Sequence, residues 1–486
     1  MSITVEKTEL FLRNLTLRIP FRFGIVLMTH TPHLIVRLTA RIDGRTVRGY
    51  AADNLIPKWF TKDPNKAYRD EIDDMFAVIE HATGVAEKVE VPTVFALWQH
   101  TWRAQETWAR EENVPPLLAG FGVSLVERAS IDAWCRHGGK PFARAVLDGD
   151  LGFQPGDVHP ELAGRRTTEF LPARSLGTIT ARHTVGLADA LTADDFTTDA
   201  PSPNDGLPAA LDEIIRAYGL THFKIKLSGD VERDRTRLRR IAEVIGREAS
   251  ACRFTLDGNE NFHAVAPFRA LWEGLHADPL LTRFLGGLIF VEQPFYRGVA
   301  LSDTLTAELL AWQERPPIII DESDAELASL PRALAGGYAG TSHKNCKGVF
   351  RGLASACLIG HRRETHPDGS WHLSAEDLTN LGPVAVQQDL AALAALGIEH
   401  AERNGHHYFA GLSQFPAAVQ EAALRDHGDL YARHRDGFPT VRVVGGEIEI
   451  GSVVDAPFGV AFEPDLSQFI PRAEWRYESL LACAAD

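Results

Sequence analysis

Cysteine is scarce and unpatterned in this chain: five residues (Cys135, Cys252, Cys346, Cys357 and Cys483) are scattered over 486 positions, with no CxxC spacing. That excludes a disulfide framework and a thiolate zinc site as organising features. No run of about 18 apolar residues occurs, so no membrane-spanning helix is expected. The first residues, MSITVEKTELFLRNL, carry charge early and lack a long apolar core, which does not fit a signal peptide. Positive charge is not in excess either, since 50 Lys+Arg face 65 Asp+Glu for a formal −15. Such a balance gives no general attraction to nucleic acid or anionic membranes. The basic cluster Arg233–Arg240 (RDRTRLRR) reads as a solvated helix face. The expectation is a soluble cytoplasmic protein with neither nucleic-acid nor membrane partners.

What is present is ordinary globular text. Residues 3–53 alternate apolar and polar positions around an Asp43-Gly44 turn and read as strands. Residues 65–140 read mainly as helices, with Trp98 and Trp102 four apart on one face that needs a partner surface. From about residue 175 short apolar runs alternate with helical stretches: TITARHTVG, HFKIKL, RFTLDG, GLIFVEQPF, PIIIDES, AGTSHKN, WHLSAEDL and GIEHAERN. Eight such strands within 175–404 have the count and scale of a (β/α)8 TIM barrel. A doubly wound sheet would give the same alternation. We therefore expect an α/β fold with an α+β unit at 1–170, a barrel at 171–420, and a segment at 421–486 returning to the first unit. The strand-like TVRVVGGEIEIGSVV after residue 438 is expected to make that return. The acidic, proline-containing insertion 188–207 follows the first barrel strand and is expected on the barrel's active face.

The chemistry lies at the strand ends. Lys224 and Lys226 share one face of their strand. Asp257 and Asn259 end the next, Glu292 ends the fourth, Asp321 the fifth, with Glu322 expected to point the other way, and Lys344 lies near the end of the sixth. Successive intervals of 31, 35, 29 and 23 residues are βα-unit lengths, so one register of charge reaches one mouth. A single Asp there is usually a helix cap; a series in register is harder to explain that way. Asp257, Glu292 and Asp321 crowded together would repel, and a hard cation such as Mg2+ relieves that. Three carboxylates, a dication and the ammonium groups of Lys224, Lys226 and Lys344 leave a formal +2. That suits the enediolate formed when a carboxylate substrate loses its α-proton. A lysine serves as base near neutrality if burial and cationic neighbours lower its pKa to about 7–8.

The strings KIK, LDGN, VEQP, IDES and HKNCKG together resemble the enolase superfamily, in its mandelate racemase/muconate-lactonizing and dipeptide-epimerase-like branch. VSLVERASIDAWCRHGGKPF resembles the helix that closes the family's capping domain, and GGEIEIGSVVDAPFGVAFEPD its C-terminal return. The resemblance spans nearly the whole chain. It implies Asp257, Glu292 and Asp321 as Mg2+ ligands and Lys226 and Lys344 as acid/base groups on opposite faces of the substrate. Lys224 would then polarise the substrate carboxylate and depress the pKa of Lys226. Asn259 and Lys347 match positions that support this set, and Glu322 and Glu376 are candidates for supporting it or binding substrate. A homo-oligomer is implied by the resemblance alone.

Departures narrow the reading. Lys344 stands where acid-sugar dehydratases resemble one another in an Asp, and the eighth strand (Glu399–Asn404) has no DxD of the kind that grips a dipeptide's ammonium. Val349 replaces the usual second glycine after HKNCKG. Trp59-Phe60 is a candidate pocket cap, and adjacent His406-His407 face opposite ways in an extended chain, against a joint metal site. The expected activity is racemisation or epimerisation of a small carboxylate. Cycloisomerisation or β-elimination on the same scaffold is the alternative within enzymes, and a catalytically silent enolase-like binding protein the alternative outside them.

Overall fold

Period-two alternation carries directly into an antiparallel sheet of Ile3–Phe23, Val26–Ile42 and Arg45–Asn54. In register Leu12 faces Leu34 and Ile35 faces Ala52, all without exposure. The helices Tyr68–Ala86, Val94–Glu111 and Pro116–Gly138 complete this N-terminal unit, the last lying against the sheet. The computed structural model describes residues 2–23, 26–87, 89–198 and 201–483.

All eight expected barrel strands form: Thr178–Val185, His222–Lys226, Arg253–Asp257, Leu288–Glu292, Ile318–Ile320, Gly340–His343, His372–Ala375 and His400–Glu402. Consecutive strands pair in parallel from first to seventh, and the first also pairs with the eighth, which excludes the doubly wound order. Among the described residues no ladder joins the seventh to the eighth. Arg182, with no exposure, spans that seam instead, donating to Ser374 Oγ (2.9 Å), Ala375 O (3.2 Å) and His400 Nδ1 (2.9 Å).

The C-terminal segment departs from expectation. Pro439–Val441 pairs with Tyr431–Arg433, and Glu447–Glu449 adds antiparallel to Thr178–Thr180 of the first barrel strand. That text therefore joins the barrel and not the N-terminal sheet. The second strand's pairing begins only at Arg182, so that edge of the first strand would otherwise start bare, and Glu447–Glu449 covers it, opposite the edge that Thr180 shares with the eighth strand. The return to the N-terminal sheet comes later, where Ile470–Pro471 pairs with Phe11–Leu12.

The first unit is seated on the barrel through specific contacts. Trp98 and Trp102 (centroids 5.6 Å apart) find their partner surface in Phe350 of the helix after the sixth strand, 5.8 Å from Trp98. Glu127 accepts the N–H of Phe350 at the start of that helix. Asn54 donates to the carbonyls of Leu378 (3.2 Å) and Thr379 (3.0 Å) at the barrel mouth. Arg18 joins the hairpin to the 188–207 insertion, bonding Asp205 (2.8 Å), Leu207 O (3.2 Å) and, beyond it, His407 O (2.8 Å). Residues 199–200 of that insertion lie outside the described residues. The basic cluster sits in the helix Val231–Glu248, with Arg235, Arg239 and Arg240 paired to Glu232, Asp278 and Asp195.

Candidate active site at the barrel mouth

Alternation along His222–Lys226 buries Phe223 and Ile225 in the core and turns Lys224 and Lys226 into the barrel mouth. Lys224 Nζ is ringed by Asp257 (3.0 Å), Glu292 (3.0 Å), Glu376 (2.6 Å) and Glu402 (2.9 Å). Lys226 Nζ lies 2.6 Å from Asp257, while Lys344 Nζ lies 2.7 Å from Asp321 and 3.0 Å from Glu376. Lys347 Nζ reaches Asp321 Oδ1 (3.0 Å) and donates to the carbonyls of Asp321 (3.0 Å) and Ser342 (2.8 Å). One continuous ion-pair chain thus crosses the mouth from Lys226 to Lys344. These two lysines come from the second and sixth of eight strands, positions diametrically opposed in a closed ring.

The backbone around the acids is tightly specified. The buried Gln293 accepts the N–H of Asp321 (2.7 Å) and of Ser323 (3.2 Å) and donates to Phe295 O (2.6 Å), tying the ends of the fourth and fifth strands together. A Cβ on Gly258 would stand 2.4 Å from Pro294 Cα, so the glycine of LDGN lets the third and fourth strand ends approach. Asn259 (φ 44°), Glu260 (φ 65°), Gln293 (φ 33°) and Thr379 (φ 57°) occupy the left-handed region, all just beyond barrel strands. Such strain is retained where surrounding structure fixes it, and it gathers here at the mouth.

The donor set fits a hard cation. Carboxylate oxygens of the buried Glu292, Asp321 and Glu376 lie within 4.8 Å of one another, with Lys344 3.0 Å from Glu376 Oε2 and the Glu292 and Glu376 carboxyls against each other. Oxygen-only ligands of this charge suit Mg2+ or a similar ion. Asp257 is turned instead to Lys224 and Lys226, and its Oδ1 accepts the N–H of Asn259 (2.8 Å).

Three expectations change. Lys226 is not depressed: burial pulls its pKa down, but Asp257 holds it above the ordinary lysine value. Lys224 is raised further, burial being outweighed by its acidic neighbours, and Glu292 is pushed well up by burial and by Glu376. The formal charge also differs from +2. Five carboxylates (Asp257, Glu292, Asp321, Glu376, Glu402) face four ammonium groups (Lys224, Lys226, Lys344, Lys347), so a dication would leave +1. Finally, Glu322 does not point away: the strand ends at Ile320, period-two alternation lapses, and Glu322 lines the pocket with its pKa pushed up to about 7 by burial and by Asp321.

Every residue named from the sequence as a catalytic, metal-binding or supporting candidate lies at or beside this mouth. Lys224, Lys226, Asp257, Asn259, Asp321, Glu322, Lys344 and Glu376 line the pocket; Glu292 sits beneath it on Lys224, and Lys347 behind Asp321. Sequence reasoning missed Glu402, whose signal was a charged residue ending the eighth strand; Asp377, which the sequence offers beside Glu376 as a substrate-binding candidate, lines the pocket bound to Arg403. It missed Arg182, which 3.4 Å from Glu376 Oε1 supports that carboxylate from within the barrel; nothing local distinguishes it from a surface arginine. Phe21, Ile56, Trp59 and Lys62 of the first unit complete the lining, so the aromatic expected to cap the pocket does face it. His406 and His407 are buried away from the pocket, His407 in edge contact with His183 at 5.0 Å.

No family model matches the sequence, and no curated protein matches it. Solved structures do. A mandelate racemase/muconate lactonizing protein from Herpetosiphon aurantiacus is 16% identical, with 95% of this chain and 99% of that one covered at a TM-score of 0.60. A dipeptide epimerase from Cytophaga hutchinsonii, complexed with Mg and the dipeptide D-Ala-L-Val, is 16% identical over 97% and 99% of the two chains at 0.58. An N-succinyl Arg/Lys racemase from Bacillus cereus is 15% identical over 93% and 97% at 0.57. At these identities the likeness establishes the fold, an α+β capping domain over a TIM-type barrel, across essentially the whole chain. Among the described residues no helix is long and apolar enough to cross a membrane.

Proposed function

We propose that the chain is an enzyme of the enolase superfamily that removes the α-proton of a small carboxylate substrate and returns one, a racemase or epimerase. The observation that carries this is the pair Lys226 and Lys344, on opposed strands, with an unbroken acid set between them. Asp257, Glu292 and Asp321 would hold Mg2+, Asp257 by turning from the lysines that engage it here, with Glu376 gathered against the other two and Asn259 and Glu322 beside them. When bound, the ion supplies a Lewis acid for the substrate's carboxylate oxygens and stabilises the enediolate charge. One lysine, as the free amine, accepts the α-proton; the electron pair passes into the carboxylate; the opposite ammonium then donates a proton to the other face. Lys224 fixes Glu376 and Glu402, and Lys347 fixes Asp321, so that charge is in place before the reaction rather than reorganised during it. We assign it to the cytoplasm on its composition and to a homo-oligomeric state on the family resemblance.

The structural neighbours supply the test compounds. Purified protein with MgCl2 in deuterated water is incubated with enantiomeric pairs of N-succinyl amino acids and with dipeptides. Deuterium appearing at the α-carbon together with the inverted centre is the expected result. An unsaturated product would assign a lyase, a lactone a cycloisomerase, and no exchange together with no Mg2+ binding at millimolar concentration a silent binding protein.

A further inference from the structure

One side chain of the capping domain touches the proposed acid/base pair directly. Trp59, in the short helix Pro57–Phe60, places its ring centroid 4.3 Å from Lys344 Nζ and is 7% exposed. Its turn is held firmly. Arg297 of the barrel donates to Trp59 O (3.0 Å) and Phe60 O (2.7 Å) while its guanidinium is bound by Glu260 at 2.7 and 2.8 Å. Phe60 packs edge-on against the indole at 4.9 Å. The ammonium of Lys344 has three donors; Asp321 and Glu376 engage it from the barrel, and the indole covers a further side. Lys226 is gripped from within the barrel, by Asp257.

We propose that Trp59 is a positioning residue for Lys344: the capping domain supplies the aromatic face that keeps this ammonium aimed into the pocket and covered from water. One proton-transfer group is then assembled only when the cap is seated, while its opposite number is assembled by the barrel alone. The inference rests on the assignment of Lys344 as an acid/base group. A ring quadrupole attracts a cation most strongly in a desolvated setting, so removing the ring loosens Lys344 selectively. An isosteric loss of packing would instead disturb both lysines through the shared pocket.

The test compares Trp59→Leu and Trp59→Phe with the native protein, each first shown to be folded by circular dichroism. The enantiomer served by Lys344 is the one whose α-proton exchange is abolished in Lys344→Met, measured on an N-succinyl amino acid pair. Trp59→Leu is expected to slow exchange of that enantiomer by about tenfold more than exchange of the other, and Trp59→Phe to restore most of the loss. Equal slowing of both enantiomers, or identical behaviour of Leu and Phe, overturns the proposal. A second readout does not need turnover. Reductive methylation with formaldehyde, followed residue by residue by mass spectrometry, should modify Lys344 faster in Trp59→Leu than in the native protein or Trp59→Phe. Equal rates in all three overturn the shielding. If no compound exchanges yet the labelling pattern appears, the functional reading has failed and the contact stands.

Discussion

At the scale of single residues, Gln293 and Glu127 show how the site is held from outside the reacting set. Gln293 gives one carbonyl oxygen to two backbone N–H groups, those of Asp321 and Ser323. Replacing it by Met keeps most of the volume and leaves both donors buried without a partner, at about 1–3 kcal/mol for each unsatisfied group. We expect Gln293→Met to lower the urea midpoint by the equivalent of about 2–4 kcal/mol with an unchanged slope; an unchanged midpoint would show that water replaces the amide. Glu127 joins the cap to the helix that follows Lys344, accepting the Phe350 N–H beside Gly348, whose φ of +116° disfavours any side chain. Burial pushes its carboxyl up to about 7 from an ordinary 4.5, the backbone N–H groups of Phe350 and Val349 only partly opposing. Between those two values the folded state keeps a proton that the unfolded state has lost. The folded state is therefore penalised as pH rises through that window. Glu127→Gln, which cannot ionise, should gain on the native protein by about 2–3 kcal/mol between pH 5 and pH 8 in paired denaturant titrations. A pH-independent difference would contradict the assignment.

At the scale of elements, the barrel strands were legible and the pairings around them were not. HFKIK alternates strictly and LIFVE is a short apolar run, and both end in charge, so the strands follow from local text and, for HFKIK, the inward face as well. Glu322 marks where this stops: it lies past the last residue of the strand, and parity no longer says where it points. The partner of Glu447–Glu449 was illegible for a different reason, because that edge of the first strand is left bare only once the second has docked in its own register. The 188–207 insertion likewise acquires its meaning from a distant residue. Arg18, its side chain 5% exposed, links the long hairpin to Asp205 and to carbonyls of two barrel loops. Just beyond it, Phe21 of the same hairpin lines the pocket. Asp205→Ala should therefore loosen the hairpin before anything else. Hydrogen exchange at residues 16–22 is expected to rise about tenfold, the equivalent of one charge-assisted bond of about 1.5 kcal/mol, with exchange in Val94–Glu111 unchanged. Uniform acceleration across the cap would place the brace elsewhere.

At the scale of the whole molecule, the charge at the mouth is a property of closure. Five of the eight strand ends could be read from the sequence as one register, since a barrel brings the ends of its parallel strands to one face. The excess of acid could not, because Glu402 and Glu376 meet Lys224 only across the seam between the seventh and eighth strands, where Arg182 replaces the missing ladder. That closure concentrates five carboxylates on four ammonium groups and sets the buried Glu292 against Glu376, carboxyl to carboxyl. The unfolded chain has no such concentration of charge, so a divalent cation should bind the folded state alone and raise its stability by mass action. At a Mg2+ concentration 100 times its dissociation constant the gain is about 2.7 kcal/mol. Spread over the unfolding entropy of a chain this long, it corresponds to a rise in Tm of about 2–3 °C. Differential scanning calorimetry should show that rise on adding MgCl2, its reversal by EDTA, and no rise with NaCl at matched ionic strength. In Glu292→Gln, which removes an acid from the centre of the set, the rise should vanish. A rise that survives this substitution would place the ion away from the barrel mouth, and with it the charge that the proposed proton transfer requires.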